Sequence, residues 1–361
     1  MSNPEASGRN IRGRNGTFSD IFKQTIMTCM EKARDKLGVA LVGLGTYSGE
    51  ELGPALKETK DCYLTGIVSG SKDKREKWKN EYGLSDKNIY DYNEFDSIKD
   101  NDDIDIVYVV LPNSMHAEYV IRAARAGKHV ICEKPMAVTV DECDEMIRAC
   151  SQAGVLLSMG YRLHFEPYNI AMSKLGKGKK FGQVKKIKAA HGLRSAHGWR
   201  LDKQMAGGGP LMDVGIYCVN AGRYITGLEP LTVQAQQGPK RDREKFKNVE
   251  ESMTWQMEYP GGTIAECACS YSEYQNHLHV DAERGWFELG PAYSYEGLKG
   301  TTSNGKLDLP HINQQAAQMD DFACAILDNR PAPVPGEMGR QDVKILQAIY
   351  KSMQTGQKVK F

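Results

Sequence analysis

From Leu37 to Gly160 the chain repeats one pattern: a short apolar run, a break of glycine, proline or small polar residues, then an amphipathic stretch. Leu37 to Val42 is the first apolar run and ends in Gly43-Leu44-Gly45, which predicts a strand leading into a glycine turn. Residues 63–68 predict a second strand, and Lys72–Tyr82 a helix that Gly83 ends. Residues 104–111 are almost wholly apolar, as a strand buried on both faces of a parallel sheet must be, and Pro112 stops it. A helix follows over 115–126, with Asn113 or Ser114 as its cap and Gly127 at its end. Then come a strand at 130–132, a helix over 140–153 capped at Thr139 or Asp141, and a strand at 155–160. Strands alternating with helices imply a right-handed parallel β/α/β sheet.

After Gly160 the pattern changes. Residues 167–175 read as a helix, and 184–193 alternate in the manner of a strand. Gly207-Gly208-Gly209-Pro210 opens a helix that runs to the region of Ile225. Thr232–Gln237, 251–259, 263–271, 277–280 and 286–289 are short strands at hairpin spacing, so this half is expected to hold a largely antiparallel sheet. Helices are expected over 314–328 and 341–355.

The length of 361 residues suggests two domains at roughly 100–200 residues each. The pattern puts them at 37–160 and 161–361, behind a polar, basic arm at 1–36 whose residues 17–36 look like a short amphipathic helix. A net charge of +1 gives no reason to expect nucleic acid or a membrane surface as a partner. No apolar run of ~18 residues is present to span a bilayer. Arg9, Arg12 and Arg14 are not followed by the apolar region of an export signal. The nine cysteines are scattered, without a C-x-x-C pair, and read as free thiols in a reducing cytoplasm. His277 and His279 would share one strand face with no third ligand in view, so no metal is expected.

The glycine turn is the first piece of candidate chemistry. In Gly43-Leu44-Gly45-Thr46-Tyr47-Ser48, the first glycine permits a tight turn and the second lets backbone approach a pyrophosphate. The third position needs a small residue, and Ser48 fills it. The alternative is a simple turn, but its place after the first buried strand favours a dinucleotide. The second strand then ends in Ser69, Ser71, Lys72, Asp73, Lys74 and Arg75, with no acid at its tip to hold a ribose 2′-hydroxyl. Hydroxyls from Ser69 and Ser71 with a cation from Lys74 or Arg75 suit a 2′-phosphate, which points to NADP.

Two further features are chemically suggestive and open to bland readings. Glu133-Lys134-Pro135 follows a parallel strand at the edge where open α/β sheets bind ligands. There Lys134 either hydrogen-bonds a substrate hydroxyl or is an ordinary loop lysine; the proline after it restricts its backbone to extended conformations. Asp213 and Tyr217 lie i, i+4 on the helix after the glycine run and share one face. Asp213 sits in the first turn, where the helix dipole favours its charge. A cation beside Tyr217 would make it a proton shuttle. Capping and packing are the alternatives for this pair.

Taken together, these stretches resemble the glucose–fructose oxidoreductase / inositol dehydrogenase (Gfo/Idh/MocA) family, and within it the glucose–fructose oxidoreductase branch. The resemblance rests on the Val42–Gly45 turn, the motif from Leu111, Pro112 and Asn113 to His116, the stretch Gly127 to Met136 around Glu133 and Lys134, Gly160-Tyr161-Arg162, Trp199-Arg200-Leu201, Ala206 to Tyr217, and Gln341-Asp342-Val343. It implies a Rossmann domain followed by an α+β domain with an open-faced, mainly antiparallel sheet, whose open face pairs with another subunit in dimers or tetramers. It implies NADP, bordered by Gly43, Gly45, Thr46, Tyr47, Ser69, Ser71, Lys74, Leu111, Pro112, Asn113, His116, Glu133, Lys134 and Arg162. It implies a sugar substrate at Lys134, Tyr161, Arg162, Asp213 and Tyr217, with Lys134, Asp213 and Tyr217 catalytic. Tyr217, where many relatives have histidine, matches the sugar-oxidising branch, and a hydride would leave a sugar carbon, often the anomeric one, to yield a lactone. His116 would line the nicotinamide or finish a helix start. Tyr161 and Arg162 would border the sugar or form a hinge. Tyr293 and Tyr295 fall near a sugar-contacting loop.

Overall fold

The computed structural model describes residues 36–361. The expected arm and its amphipathic helix, Lys36 apart, lie outside the described residues. Six strands form a parallel sheet: β1 (Leu37–Val42), β2 (Cys62–Val68), β3 (Ile89–Tyr90), β4 (Ile106–Val109), β5 (His129–Cys132) and β6 (Leu157–Met159). Their order is β3-β2-β1-β4-β5-β6. This is the doubly wound order of a Rossmann sheet, with the strand order reversing between β1 and β4. The strands are solid apolar runs because helices cover both faces: β1 buries five residues from Gly38 to Val42, and β4 buries all of its four.

The helices of this half start and stop on local chemistry. Helix α1 (Lys72–Tyr82) is capped by the Ser71 side chain and ended by Gly83 in a left-handed turn. Helix α2 (His116–Arg125) follows the short turn Asn113–Met115. Neither Asn113 nor Ser114 caps it, which corrects the expectation; the Asn113 amide donates instead to the Ala206 carbonyl at 2.8 Å. Helix α3 (Val140–Ala153) opens with a reciprocal Thr139–Glu142 capping box.

The second sheet has nine strands: β7 (Val184–Gly192), β8 (Thr232–Gln237), β9 (Ser252–Glu258), β10 (Ile264–Ser270), β11 (Gln275–Ala282), β12 (Gly285–Leu289), β13 (Gly300–Thr302), β14 (Gly305–Leu307) and β15 (Val359–Lys360). Their order is β14-β13-β12-β11-β7-β10-β9-β8-β15. It is antiparallel except where β10 runs parallel to β7. Alternation is clean: Ala265, Cys267 and Cys269 of β10 are buried, while Ile264, Glu266 and Ala268 face the other way and are half-buried. Helices α4 (Pro167–Lys177), α5 (Ile216–Thr226) and α7 (Gly336–Thr355) pack with this half, and α6 (Gln314–Leu327) returns to the first. Helix α7 starts at Gly336, five residues before the expected 341.

Among the described residues no helix is long and apolar enough to cross a membrane. Cys62, Cys132, Cys143, Cys150, Cys218, Cys267 and Cys269 are free and buried. Cys324 is disulfide-bonded, which corrects the free-thiol expectation at that position.

Candidate active site

Three turns meet at the carboxyl edge of the parallel sheet. The first follows β1. Gly43 has φ +99°, and a Cβ there would stand 2.4 Å from the Val110 carbonyl oxygen, so only glycine lets the ends of β1 and β4 approach. Gly45 borders open space: no heavy atom lies within 4 Å of where its Cβ would be. The Ser48 hydroxyl donates to the Gly43 carbonyl at 2.6 Å and closes the turn from inside. At the tip of β2, the Ser69 hydroxyl accepts from the Ser71 amide at 3.3 Å, and the Arg75 guanidinium donates to the Ser69 carbonyl. Lys74 Nζ reaches across to the Leu44 carbonyl at 2.9 Å, which sets a cation against the glycine turn. An open glycine cradle, two hydroxyls and two cations with no acid at the strand tip fit a dinucleotide carrying a 2′-phosphate.

The other two turns follow β4 and β5, and His116 ties them. Its ring is fully buried, with Nδ1 2.9 Å from the Pro135 carbonyl and Nε2 2.8 Å from the Leu111 carbonyl. Burial holds its pKa below the usual imidazole value against those bonds. Glu133 is buried; its Oε1 accepts from the Tyr108 hydroxyl at 2.8 Å. Burial pushes its carboxyl up, partly offset by Lys134 and the Tyr108 bond.

Lys134 leaves this edge and meets residues from the second half. Its ammonium donates to the Asp213 carbonyl at 2.8 Å and lies 3.5 Å from Asp213 Oδ1 and 4.8 Å over the Tyr217 ring. Burial favours the neutral amine, but Tyr217, Asp213 and Glu133 outweigh it and hold the group above the ordinary lysine value. Asp213 and Tyr217 are brought there by a π-turn, Leu211–Gly215, that runs into α5. The glycine run before it is a packing requirement: a Cβ on Gly208 would stand 1.9 Å from the Tyr350 hydroxyl. That hydroxyl donates to Glu250 at 2.7 Å, and the same Glu250 oxygen accepts the Leu211 amide at 3.3 Å.

Asp213 is surrounded by donors. Arg200 Nε lies 2.9 Å from its Oδ2, and the Tyr271 hydroxyl 3.1 Å from the same oxygen. Burial would raise its pKa, but Lys134 and Arg200, with bonds from Arg200 and Tyr271, hold it down to about 2. It is therefore a fixed carboxylate at neutral pH. Tyr217 has a second cation: the Arg162 guanidinium carbon is 5.5 Å from its ring and 4.4 Å from that of Tyr295. Arg162 itself is buried and donates to the Ser294 carbonyl at 3.1 Å and the Tyr293 carbonyl at 2.6 Å. His191, with its ring 5.1 Å from Tyr217, is held neutral; burial, then Lys134 and Arg162, lower its pKa to about 3.

Most of the sequence-selected residues thus converge, and Tyr161 does not join them. Its ring is buried 5.9 Å from that of His164, with Asp342 and Arg223 as its charged neighbours. Arg200 stands in the Trp199–Leu201 stretch that carries the resemblance but was given no role in the site, and Tyr271 and His191 were not singled out from the sequence. Tyr271 and His191 sit at or just past strand ends, where alternation marks burial and nothing else. His279, considered as a metal ligand, is committed to Glu288 at 2.9 Å and Asp281 at 3.0 Å.

Comparison with known proteins agrees with this architecture. The family described as "Oxidoreductase family, NAD-binding Rossmann fold" matches residues 37–161, and "GFO/IDH/MocA C-terminal domain" matches residues 170–288. The crystal structure of an aldose-aldose oxidoreductase from Caulobacter crescentus complexed with glycerol is similar, with 40% identity, a TM-score of 0.88, and coverage of 91% of this chain and 100% of that one. A D-xylose 1-dehydrogenase [NADP(+)] of Haloarcula marismortui is 27% identical over 88% of this chain and 91% of its own. A trans-1,2-dihydrobenzene-1,2-diol dehydrogenase of Danio rerio is 30% identical over 56% of this chain and 60% of its own. With its Rossmann sheet, its open second sheet and both matches in order along one chain, the protein belongs to the GFO/IDH/MocA oxidoreductase family.

Proposed function

We propose that this protein is an NADP-dependent sugar oxidoreductase that oxidises an aldose at its anomeric carbon to the lactone, with Lys134, Asp213 and Tyr217 as its catalytic residues. The observation that carries the reading is the meeting of an ammonium, a fixed carboxylate and a tyrosine beside a glycine cradle. NADP⁺, held at the glycine turn after β1, would supply the acceptor for the hydride of the sugar carbon. Tyr217 Oη takes the proton of the reacting hydroxyl. Lys134 hydrogen-bonds that oxygen and stabilises negative charge on it. Asp213, ionised down to about pH 2, does not serve as the proton acceptor; it holds Lys134 in place. Gly43, Gly45, Thr46 and Tyr47 cradle the pyrophosphate side, and Ser69, Ser71 and Lys74 take the 2′-phosphate. Leu111, Pro112, Asn113 and Glu133 border the nicotinamide side, with His116 beneath them, and Arg162 borders the sugar.

The Caulobacter relative is named an aldose-aldose oxidoreductase, which supports a reading in which oxidation of one aldose is coupled to reduction of another. The Haloarcula relative is named a D-xylose 1-dehydrogenase [NADP(+)], which supports the second reading, a xylose-type dehydrogenase, for which we propose that NADP exchanges between turnovers. One experiment separates them: denature the purified protein, identify any released nucleotide, and screen aldoses with and without added NADP. Tyr217→Phe should lower kcat by at least about 100-fold with NADP binding intact. Near-normal turnover in that variant would sink the role given to Tyr217.

A second copy of the chain is the partner we assign to the open face of the large sheet, giving a dimer or tetramer. A cytoplasmic setting is supported by the free buried cysteines, and the disulfide at Cys324 argues the other way. Cell fractionation with a non-reducing gel decides it.

A further inference from the structure

Helix α6 lies about a hundred residues beyond Asp213, yet it buries three glutamines against the site: Gln314, Gln315 and Gln318 are 1%, 3% and 1% exposed. Glutamine is mostly a surface residue, and a buried amide is costly unless hydrogen-bonded. Here each donates or accepts at a different piece of the site, and Gln318 does so through its Nε2 alone, its buried Oε1 having no partner among the described residues. Gln314 accepts from the Arg162 guanidinium and donates to the Tyr295 carbonyl at 2.8 Å. Gln315 donates to Glu51, in the turn after the glycine cradle, at 3.1 Å. Gln318 Nε2 donates to the Tyr108 hydroxyl at 2.8 Å, and that hydroxyl donates to Glu133 Oε1 at 2.8 Å.

The last of these chains has a fixed polarity. An amide N–H can only donate, so the Tyr108 oxygen accepts it and the single phenolic proton is left for Glu133. The other Glu133 oxygen accepts the Lys134 amide at 3.3 Å. Gly160 walls the carboxylate on one side, since a Cβ there would lie 2.6 Å from Glu133 Oε1. Tyr108 is fully buried, with Tyr47 as the other titratable group near it. A carboxylate gripped from three directions beside the reactive lysine is more than a packed side chain.

We propose that Gln318 is a positioning residue for the reaction: acting through the Tyr108 hydroxyl, it fixes the orientation of the Glu133 carboxylate and with it the turn that presents Lys134. This rests on the reading that Lys134 serves the reacting sugar. Gln318 touches neither sugar nor cofactor in this role; it works through two other side chains.

The test reverses the polarity of the first bond. In Gln318→Glu, the protonated carboxyl can donate to Tyr108 as the amide does. The ionised carboxylate can only accept, and it takes the Tyr108 proton away from Glu133. This variant should be close to wild type at low pH and lose about 10-fold in kcat as pH rises, the scale of one buried hydrogen bond. Gln318→Met should lose activity evenly across pH. NADPH affinity by fluorescence titration over the same range gives a second readout, because Glu133 sits on the cofactor side. In a Tyr108→Phe background the pH limb of Gln318→Glu should vanish. A Gln318→Glu profile parallel to wild type, or a limb that persists without the Tyr108 hydroxyl, overturns the proposal. Full turnover by Lys134→Met would instead overturn the catalytic reading, and the NADPH titration would still report on the relay.

Discussion

The two sheets solve opposite problems. The parallel sheet is buried on both faces and presents only its carboxyl edge, which is shaped by backbone: Gly43 at φ +99°, Gly45 facing open space, the first turn closed from inside by Ser48 and the other two tied by His116. The nine-stranded sheet is buried on one face and leaves Lys186, Lys188, Glu266, His279, Asp281 and Glu288 on the other. Its contribution to the site is charge and aromatic surface: Asp213 and Tyr217 lie over it, with Tyr271 and His191 at or just past strand ends. On the proposed reading the cofactor side is thus conformational and the sugar side electrostatic. Lys134 is the exception that joins them, a side chain from the first sheet held by a carboxylate from the second half.

That division predicts where substitution hurts most. Lys134→Met should cost about 1000-fold in kcat while NADP affinity stays within a few-fold, because in the proposed role the lysine acts on the sugar and not on the cradle. Stopped-flow kinetics with NADP calorimetry checks this. If NADP affinity collapsed while kcat held, the lysine would belong to the cofactor side and the division would fail.

Backbone shape gives the next effect. Gly43→Ala forces a Cβ to within 2.4 Å of the Val110 oxygen at a φ unsuited to alanine, and should cost about 3 kcal/mol and most NADP binding. Gly262, between β9 and β10, has a similar φ of +81° with nothing within 4 Å of its Cβ position. Gly262→Ala should cost about 1 kcal/mol and leave NADP affinity unchanged. Equal losses in thermal melts would show that the cradle is held by φ alone and not by the approach of β1 to β4.

The same division explains what was legible in the sequence. Strands β1, β4 and β5 announce themselves because a strand covered on both faces is apolar nearly throughout, and helices between them leave caps and glycines. Lys134 stood out by its place after such a strand and Asp213 with Tyr217 by an i, i+4 spacing, but a loop lysine, capping and packing stayed open until the family resemblance, and the π-turn that carries Asp213 left no mark in that spacing. Arg200 and Tyr271 did not stand out as site residues, since they reach Asp213 across 13 and 58 residues and no periodicity records a contact of that kind. Strands β13, β14 and β15 are two or three residues long and carry too few positions for alternation to register. His116 was placed near the nicotinamide by resemblance, and its inward rotation depends on two carbonyls that only the folded turns bring together. The parallel pairing of β7 with β10 was hidden for a similar reason: hairpin spacing speaks for neighbours in sequence and not for a strand that returns later.

Asp213 offers a smaller effect that isolates the electrostatic half. Its pKa is about 2 in the folded protein, against about 3.9 in an unfolded chain. A depressed carboxyl contributes stability above its unfolded pKa and loses it as pH falls through the folded value. The contribution is about 2–3 kcal/mol, complete above about pH 5 and lost by about pH 1.5. Asp213→Asn leaves Lys134 and Arg200 without their anion and is destabilised at every pH, so the informative quantity is the slope. Urea melts at about pH 5 and pH 2.5 should show a shallower pH dependence in the variant than in the wild type. Identical slopes would mean that Lys134 and Arg200 do not hold the carboxylate ionised, and the sugar side would lose its fixed charge.

The smallest effect concerns the open face, and its size is the point. Lys186 and Glu266 pair there at 2.7 Å with 38% and 44% of their side chains exposed. In water such a pair is worth less than about 0.5 kcal/mol, so Lys186→Ala should leave the stability of a dilute, dissociated chain almost unchanged. Covered by a second copy, the same substitution strands Glu266 in an interface, where an unpaired charge costs about 2 kcal/mol or more. The loss should therefore grow with protein concentration, and it should appear as weaker association in sedimentation experiments. A loss that is small at every concentration would mean that water, and not a second subunit, covers this face, and the contrast between a doubly buried sheet and a half-open one would be permanent.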